Sequence, residues 1–315
     1  MNEKPTKSDL IAAHERIKPF IHRTPVLSST LVNEAVGASL FFKCENLQKI
    51  GAFKIRGATN ALRSMSAEEL RGGACTHSSG NHAQAVAYAA RALGIPAHIV
   101  MPSNSSAVKK AGVAAYGANI TYCEPNQAAR EATAARVMEE TGAAFVHPYD
   151  DWRIVAGQGT AAMELIEDQP DLDYVLAPIG GGGLMAGTAL AVKYFSPGAK
   201  AIACEPDGAN DAFRSFRDRV PYPSESPKTL ADGLLTSVGE RNREVLFDCV
   251  DQVITCSEEA LVRAMRLVWE RMKIVIEPSS AVPLACLMEG KLDVRGKRVG
   301  IIVSGGNVDL SRLPF

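Results

Sequence analysis

Short apolar runs that read as buried strands alternate with Ala-rich stretches that read as helices along most of this 315-residue chain, and few folds accommodate that rhythm. The strand-like runs are residues 40–43, 97–101, 119–123, 144–147, 174–179, 200–204, 252–256 and 298–304. Helices are expected over 8–20, 82–93, 127–140, 155–167 and 258–272. A strand followed by a helix returns to the same sheet as a parallel neighbour, and parallel strands are covered on both faces. The expected class is therefore α/β, with mostly parallel sheets and helices on both faces. The length exceeds what most single cores hold, which points to two lobes. Residues 73–147 form a compact set of strand–helix units, expected as a smaller lobe inserted into a larger one built from 1–72 and 148–315. There is no internal repeat, and 220–227, with three prolines and two serines, is a loop.

Composition removes several classes of function. The 34 Lys and Arg nearly cancel the 35 Asp and Glu, so no basic field exists to attract nucleic acid or anionic lipid. No apolar run reaches the roughly 18 residues a membrane helix needs, and the polar N-terminus lacks a signal segment, so a cytoplasmic location is expected. Seven scattered cysteines without a C-x-x-C pair fit reduced thiols, neither a disulfide frame nor a zinc site.

Four consecutive glycines, Gly180, Gly181, Gly182 and Gly183, stand between the apolar run 174–179 and an Ala-rich stretch from Leu184 to Phe195. Without Cβ atoms such a loop can turn several N–H groups toward one point at a helix N-terminus, where a phosphate would bind. No Lys-Ser/Thr pair follows, and the G-x-G-x-x-G spacing is missing, which leaves a small phosphorylated cofactor; a merely flexible turn is the alternative. Lys54, flanked by Phe53 and Ile55 at a loop-to-helix junction, could be a partly desolvated, nucleophilic amine, or an ordinary surface lysine. The polar loop 76–82, with Ser78, Ser79, Gly80, Asn81 and His82 ahead of a helix, could hold a carboxylate or simply cap that helix. Ser304 ends the last apolar strand at the sheet edge where α/β proteins bind ligands.

Taken together, these motifs resemble the fold-type II pyridoxal-phosphate enzymes of the serine racemase and serine/threonine dehydratase group, a two-lobed fold like that of the tryptophan synthase β subunit. The likeness runs from Thr24-Pro25 to Asp309-Leu310. It implies that Lys54 bonds covalently to pyridoxal 5'-phosphate beside Phe53, that Asn81 bonds the ring oxygen, and that Ser304 faces the ring nitrogen. Gly180 to Gly183 and Leu184 would hold the phosphate. Ser78 to His82 would form the substrate loop, with Ser79 an acid/base on the face opposite Lys54 and Thr236 near the substrate. Glu205, Asp211 and the carbonyl of Ala209 would bind a divalent cation, Mg²⁺, Ca²⁺ or Mn²⁺; read without the likeness, that acidic stretch is a solvated loop. A homodimer is also implied.

The resemblance further implies lyase chemistry on a small amino-acid substrate. L-serine or L-threonine would lose its β-hydroxyl and yield a 2-oxo acid and ammonia, with serine racemisation alongside. A 3-hydroxyaspartate dehydratase uses the same scaffold, and Arg130, near the mouth of the site, would then pair with the second carboxylate. A catalytically silent ligand-binding relative is the reading from another class, against which the intact Lys54 speaks. Lys49, Gln84, Tyr116, Lys273 and Asn307 match a nucleotide-effector pocket, but Ile50 and Ala52 replace the Thr and Ser of mammalian members. Tyr149 replaces a usual asparagine. The chain ends at Phe315, where no regulatory domain is expected to follow.

Overall fold

The computed structural model describes residues 3–78, 80–105 and 107–315. Among them are ten strands in two sheets. The large sheet has the spatial order β1 (Val26–Leu27), β2 (Ser39–Cys44), β10 (Arg298–Val303), β7 (Tyr174–Pro178), β8 (Lys200–Pro206) and β9 (Gln252–Cys256). Only β1 runs antiparallel to its neighbour; the other pairings are parallel. The small sheet has the order β5 (Asn119–Cys123), β4 (Ala97–Pro102), β3 (Ala74–His77) and β6 (Ala144–Phe145), parallel throughout. Thr76 and His77, read from sequence as loop, thus finish a strand, because the buried run Ala74 to Thr76 pairs with β4. The strand expected over 144–147 closes after two residues.

The helices are α1 (Lys7–Ile17), α2 (Thr30–Val36), α3 (Lys54–Arg63), α4 (Asn81–Leu93), α5 (Ala107–Ala114), α6 (Gln127–Thr141), α7 (Trp152–Asp168), α8 (Gly183–Phe195), α9 (Asp211–Asp218), α10 (Glu240–Cys249), α11 (Glu258–Met272) and α12 (Pro278–Met288). Helices cover both faces of the large sheet, α7 and α8 on one and α11 and α12 on the other, while α4 and α6 pack on the small sheet. Along β10, Ile302 joins the core under α7 and α8, while Val299, Ile301 and Val303 join the core under α11 and α12. Where α7 crosses α8, a Cβ on Gly159 would stand 2.8 Å from the Gly187 carbonyl oxygen, and one on Gly187 2.5 Å from the Gly159 nitrogen. Side chains at either position would force the helices apart. No helix among the described residues is long and apolar enough to cross a membrane.

This topology positions the site. The carboxyl ends of β3, β7 and β10 lead into the loop before α4, the glycine run and Ser304 respectively, so three segments far apart in sequence meet at one set of strand ends.

Candidate active site

One cavity of about 500 Å³ lies at those strand ends. Lys54 enters it from the first position of α3, and its Nζ donates to the Pro148 carbonyl oxygen at 2.8 Å. Burial lowers the amine from its ordinary value to about 8, against an opposing pull from the Glu277 carboxylate. A substantial neutral fraction near pH 8 would suit this lysine to act as a nucleophile.

The helix bearing Lys54 is held from behind. Arg56, two residues on and fully buried, donates from Nε and Nη2 to Glu45 at 2.6 and 2.8 Å, and from Nη1 and Nη2 to Glu164 at 2.9 and 2.8 Å. Lys43 Nζ reaches Glu164 at 2.7 Å, and Thr24 donates to Glu45 at 2.5 Å. Burial pushes the Glu164 carboxyl up, but Arg56 and Lys43 outweigh it and hold it at about 2. Two cations therefore balance two anions in a buried network joining β2, α3 and α7.

The glycine run also lines the cavity. Gly182 has φ +93, a left-handed conformation that glycine alone adopts freely, and a Cβ there would meet Asn242 Cβ at 2.7 Å. The Gly181 carbonyl is turned outward, accepting from Asn242 Nδ2 at 2.7 Å and Gly239 N at 3.1 Å. Among the described residues no acceptor meets the N–H groups of Gly180, Gly181, Gly182 or Gly183. Buried, unpartnered donors at the start of α8 fit a phosphate, and Leu184 adds an apolar wall.

Further residues expected from the sequence line the same cavity. Phe53 is buried, with its ring centroid 5.2 Å from Lys54 Nζ, and its N–H donates to the Ser304 carbonyl at 2.9 Å. The Ser304 hydroxyl lies 2.9 Å from that of Ser280, which donates to the Gly305 carbonyl at 2.7 Å. Ser78 Oγ accepts from the Gly80 N–H at 3.3 Å. Ser79 lies outside the described residues. His82 lines the cavity but donates from Nε2 to the Val146 carbonyl at 3.1 Å, and burial lowers it well below its ordinary value, so it is a neutral wall residue. Arg130 and Thr236 lie on the same cavity. Arg130 Nε is buried without a partner among the described residues.

Glu277 is a lining carboxylate that the sequence did not single out. Its only local signal is a glutamate directly before Pro278, the first residue of α12. Both its oxygens accept from Asn81 Nδ2, at 3.0 and 3.1 Å, and Oε2 also accepts from the Asn307 N–H at 3.2 Å.

The acidic cluster lies off the cavity. Glu205 and Asp211 are buried, at 0% and 1% exposure. Glu205 accepts from the N–H groups of Ala212 and Phe213 at 3.1 and 2.8 Å, capping α9. Asp211 Oδ1 is buried without a partner among the described residues. Of the residues matched to a nucleotide pocket, Asn307 is committed within the fold, donating from Nδ2 to the Ile50 carbonyl at 2.7 Å and to Asn81 Oδ1 at 2.8 Å. Lys49 Nζ stands 5.6 Å from the Tyr88 ring centroid, and Tyr116 packs edge-on against that ring.

Residues 17–305 match a family model described as "Pyridoxal-phosphate dependent enzyme". The chain is 50% identical to the beta-hydroxyaspartate dehydratase of Paracoccus denitrificans (strain Pd 1222), covering 99% of each chain. Its structure is similar to that of serine racemase from Dictyostelium discoideum, with a TM-score of 0.93 and 45% identity over 97% of this chain and 99% of that one. The structure of maize serine racemase aligns with a TM-score of 0.96 and 44% identity over 98% of this chain and 95% of that one.

Proposed function

We propose, for a chain that belongs to the pyridoxal-phosphate dependent enzymes of fold-type II, that it is a deaminating dehydratase of small β-hydroxy amino acids, with 3-hydroxyaspartate the favoured substrate. The observation that carries the reaction class is the meeting in one cavity of the partly desolvated Lys54 amine and the unpartnered glycine N–H groups. Gly180 to Gly183 with Leu184 would take the cofactor's phosphate, Lys54 its aldehyde carbon, Asn81 its ring oxygen and Ser304 its ring nitrogen. When bound, the cofactor supplies a sink for the electrons released at the substrate's α-carbon. Lys54 Nζ would take the α-proton from the bound substrate, and the β-hydroxyl would leave as water. Hydrolysis of the resulting enamine returns that water and gives a 2-oxo acid and ammonia; 3-hydroxyaspartate would yield oxaloacetate.

Arg130 supports the dicarboxylate. Its Nε is buried and unpartnered among the described residues of the cavity wall, where a second carboxylate would supply the missing acceptor; L-serine and L-threonine carry none. Initial rates on L-serine, D-serine, L-threonine and the 3-hydroxyaspartate stereoisomers test this. Arg130→Ala is expected to lower kcat/KM for 3-hydroxyaspartate at least tenfold more than for L-serine, about 1.4 kcal/mol of selective binding. An equal loss on both substrates would refute the role of Arg130.

The likeness to serine racemase favours a second activity, racemisation of L-serine, with Ser79 returning a proton to the face opposite Lys54. Glu205, Asp211 and the Ala209 carbonyl would hold Mg²⁺, Ca²⁺ or Mn²⁺. The unpartnered Asp211 Oδ1 fits a hard cation, while among the described residues no group of three His, Cys, Asp or Glu side chains is placed to hold one. That ion would brace the loop before α9, away from the reacting atoms. Residues 73–147 would form a mobile small domain, and the protein would be a homodimer. The nucleotide-effector role has less support, since the Asn307 amide is already committed to Ile50 and Asn81.

A further inference from the structure

The Asn81 side chain makes an unusual pair of contacts. A single nitrogen, Nδ2, stands 3.0 and 3.1 Å from the two oxygens of one carboxylate, Glu277. At that range the two oxygens subtend only about 40° at the nitrogen, whereas the two amide hydrogens diverge by about 120°. One hydrogen therefore bisects the carboxylate, and the other is directed away from it. Among the described residues that second hydrogen has no acceptor. The amide's orientation is unambiguous, because Oδ1 accepts from Asn307 Nδ2 at 2.8 Å while Nδ2 faces an anion. Asn81 opens α4 at the end of the small sheet, and Glu277 and Asn307 belong to segments flanking the large sheet, so the contact also joins the two sheets' ends.

We propose that Glu277 is a positioning residue, whose carboxylate fixes the Asn81 amide so that its second Nδ2 hydrogen stands free to donate to the oxygen on the cofactor ring. This inference rests on the reading of the site given above. Only a carboxylate meets the requirement. Asn81 Nδ2 approaches both oxygens, and the Asn307 N–H approaches Oε2 as well. A glutamine placed there would set its own N–H₂ against one donor or the other whichever way it turned, and Asn81 would rotate to escape. A protonated Glu277 carries the same defect.

The groups facing Glu277 are few. Lys54 approaches from α3, Asp232 from the turn 232–234 and Lys109 from α5, the last two paired with each other at 2.7 Å. Burial, aided by Asp232, raises Glu277 to about 7, while Asn81, the Asn307 N–H and Lys109 pull it down. The carboxylate lock is thus complete above this value and is released as pH falls through it.

The test uses pyridoxine 5'-phosphate, which carries the ring oxygen and the phosphate but no aldehyde to bond Lys54, titrated calorimetrically into the cofactor-free full-length protein. At about pH 8, Glu277→Gln should weaken binding roughly tenfold, the effect of one misdirected charge-supported hydrogen bond. Asn81→Ala/Glu277→Gln should bind no more weakly than Asn81→Ala alone. The ratio of wild-type to Glu277→Gln affinity should fall toward one as the pH is lowered to about 6, and the analogue's own phosphate titration cancels in that ratio. Additive effects in the double variant, or a ratio constant across that range, would overturn the positioning role while leaving the cofactor site intact. No binding to wild-type protein at all would overturn the site reading and this inference with it.

Discussion

Replacing Arg56 by methionine tests whether the helix bearing Lys54 is anchored by charge or merely packed. The wild-type network holds Lys43 and Arg56 against Glu45 and Glu164, all fully or almost fully buried, with charges that cancel. Methionine keeps much of the volume but leaves two anions facing one cation. Breaking a buried pair from one side costs about 3–5 kcal/mol, far more than the pair contributes relative to an apolar substitute. Urea unfolding of Arg56→Met, followed by circular dichroism at neutral pH, should show a loss in that range. The sign of the pH dependence is a second readout. In the wild type Glu164 is held at about 2, so its contribution is present at neutral pH and fades only as pH falls toward that value. In the variant an unbalanced carboxyl titrates above its ordinary value, so the deficit should shrink as the pH is lowered. Adding Glu45→Gln should recover part of the loss by removing the surplus anion. A single variant within about 1 kcal/mol of wild type, or a deficit indifferent to both pH and Glu45→Gln, would refute the charge-anchoring argument.

Three further outcomes follow from the site. In cofactor-free protein, acylation of Lys54 should rise with pH through about 8 instead of the ordinary 10.5, and Lys54→Ala should abolish turnover while inorganic phosphate still binds; peptide mapping of the acylated residue and phosphate titration would expose a failure of either. Gly182→Ala should weaken cofactor binding at least tenfold and lower the Tm by several degrees, since a left-handed alanine costs roughly 1–2 kcal/mol before its contact with Asn242 is counted; wild-type affinity would mean that the loop does not hold the phosphate. Chelation should lower both Tm and activity, with recovery on Mg²⁺, Ca²⁺ or Mn²⁺ and no response in Asp211→Ala; metal-free protein with unchanged melting would return Glu205 to a helix cap only.

What could be seen in the sequence, and what could not, divides along the range of the interactions. The apolar runs at 174–179 and 298–304 declared their strands because a parallel strand buried on both faces must be largely apolar, a local requirement with a local trace. Strand β3 escaped because its last residues, Thr76 and His77, are polar and adjoin a serine-rich loop; pairing with β4 decides their state, and pairing is not written in either segment alone. The glycine run and Lys54 also have a local trace, a bare loop and a lysine between apolar neighbours, but each has an ordinary reading alone and only their company points to a cofactor site.

Glu277 shows the opposite case. A glutamate before a proline at a helix start is ordinary, and nothing near it in sequence marks it as a ligand. Its meaning comes from Asn81, 196 positions away, and from Asn307, which reach it only because the loop ahead of α4 and the end of β10 meet at the same strand ends. Arg56 sits in the same motif as Lys54, yet its partner Glu164 lies 108 positions on, in a stretch that reads only as a helix. The residues that would touch the cofactor therefore stand out in sequence by their own chemistry, while those that aim them are identifiable only from contacts the fold creates. Asn81 sharpens the point. The resemblance assigned it a donor for the ring oxygen, but which of its hydrogens is free, and that any is, depends on the carboxylate opposite.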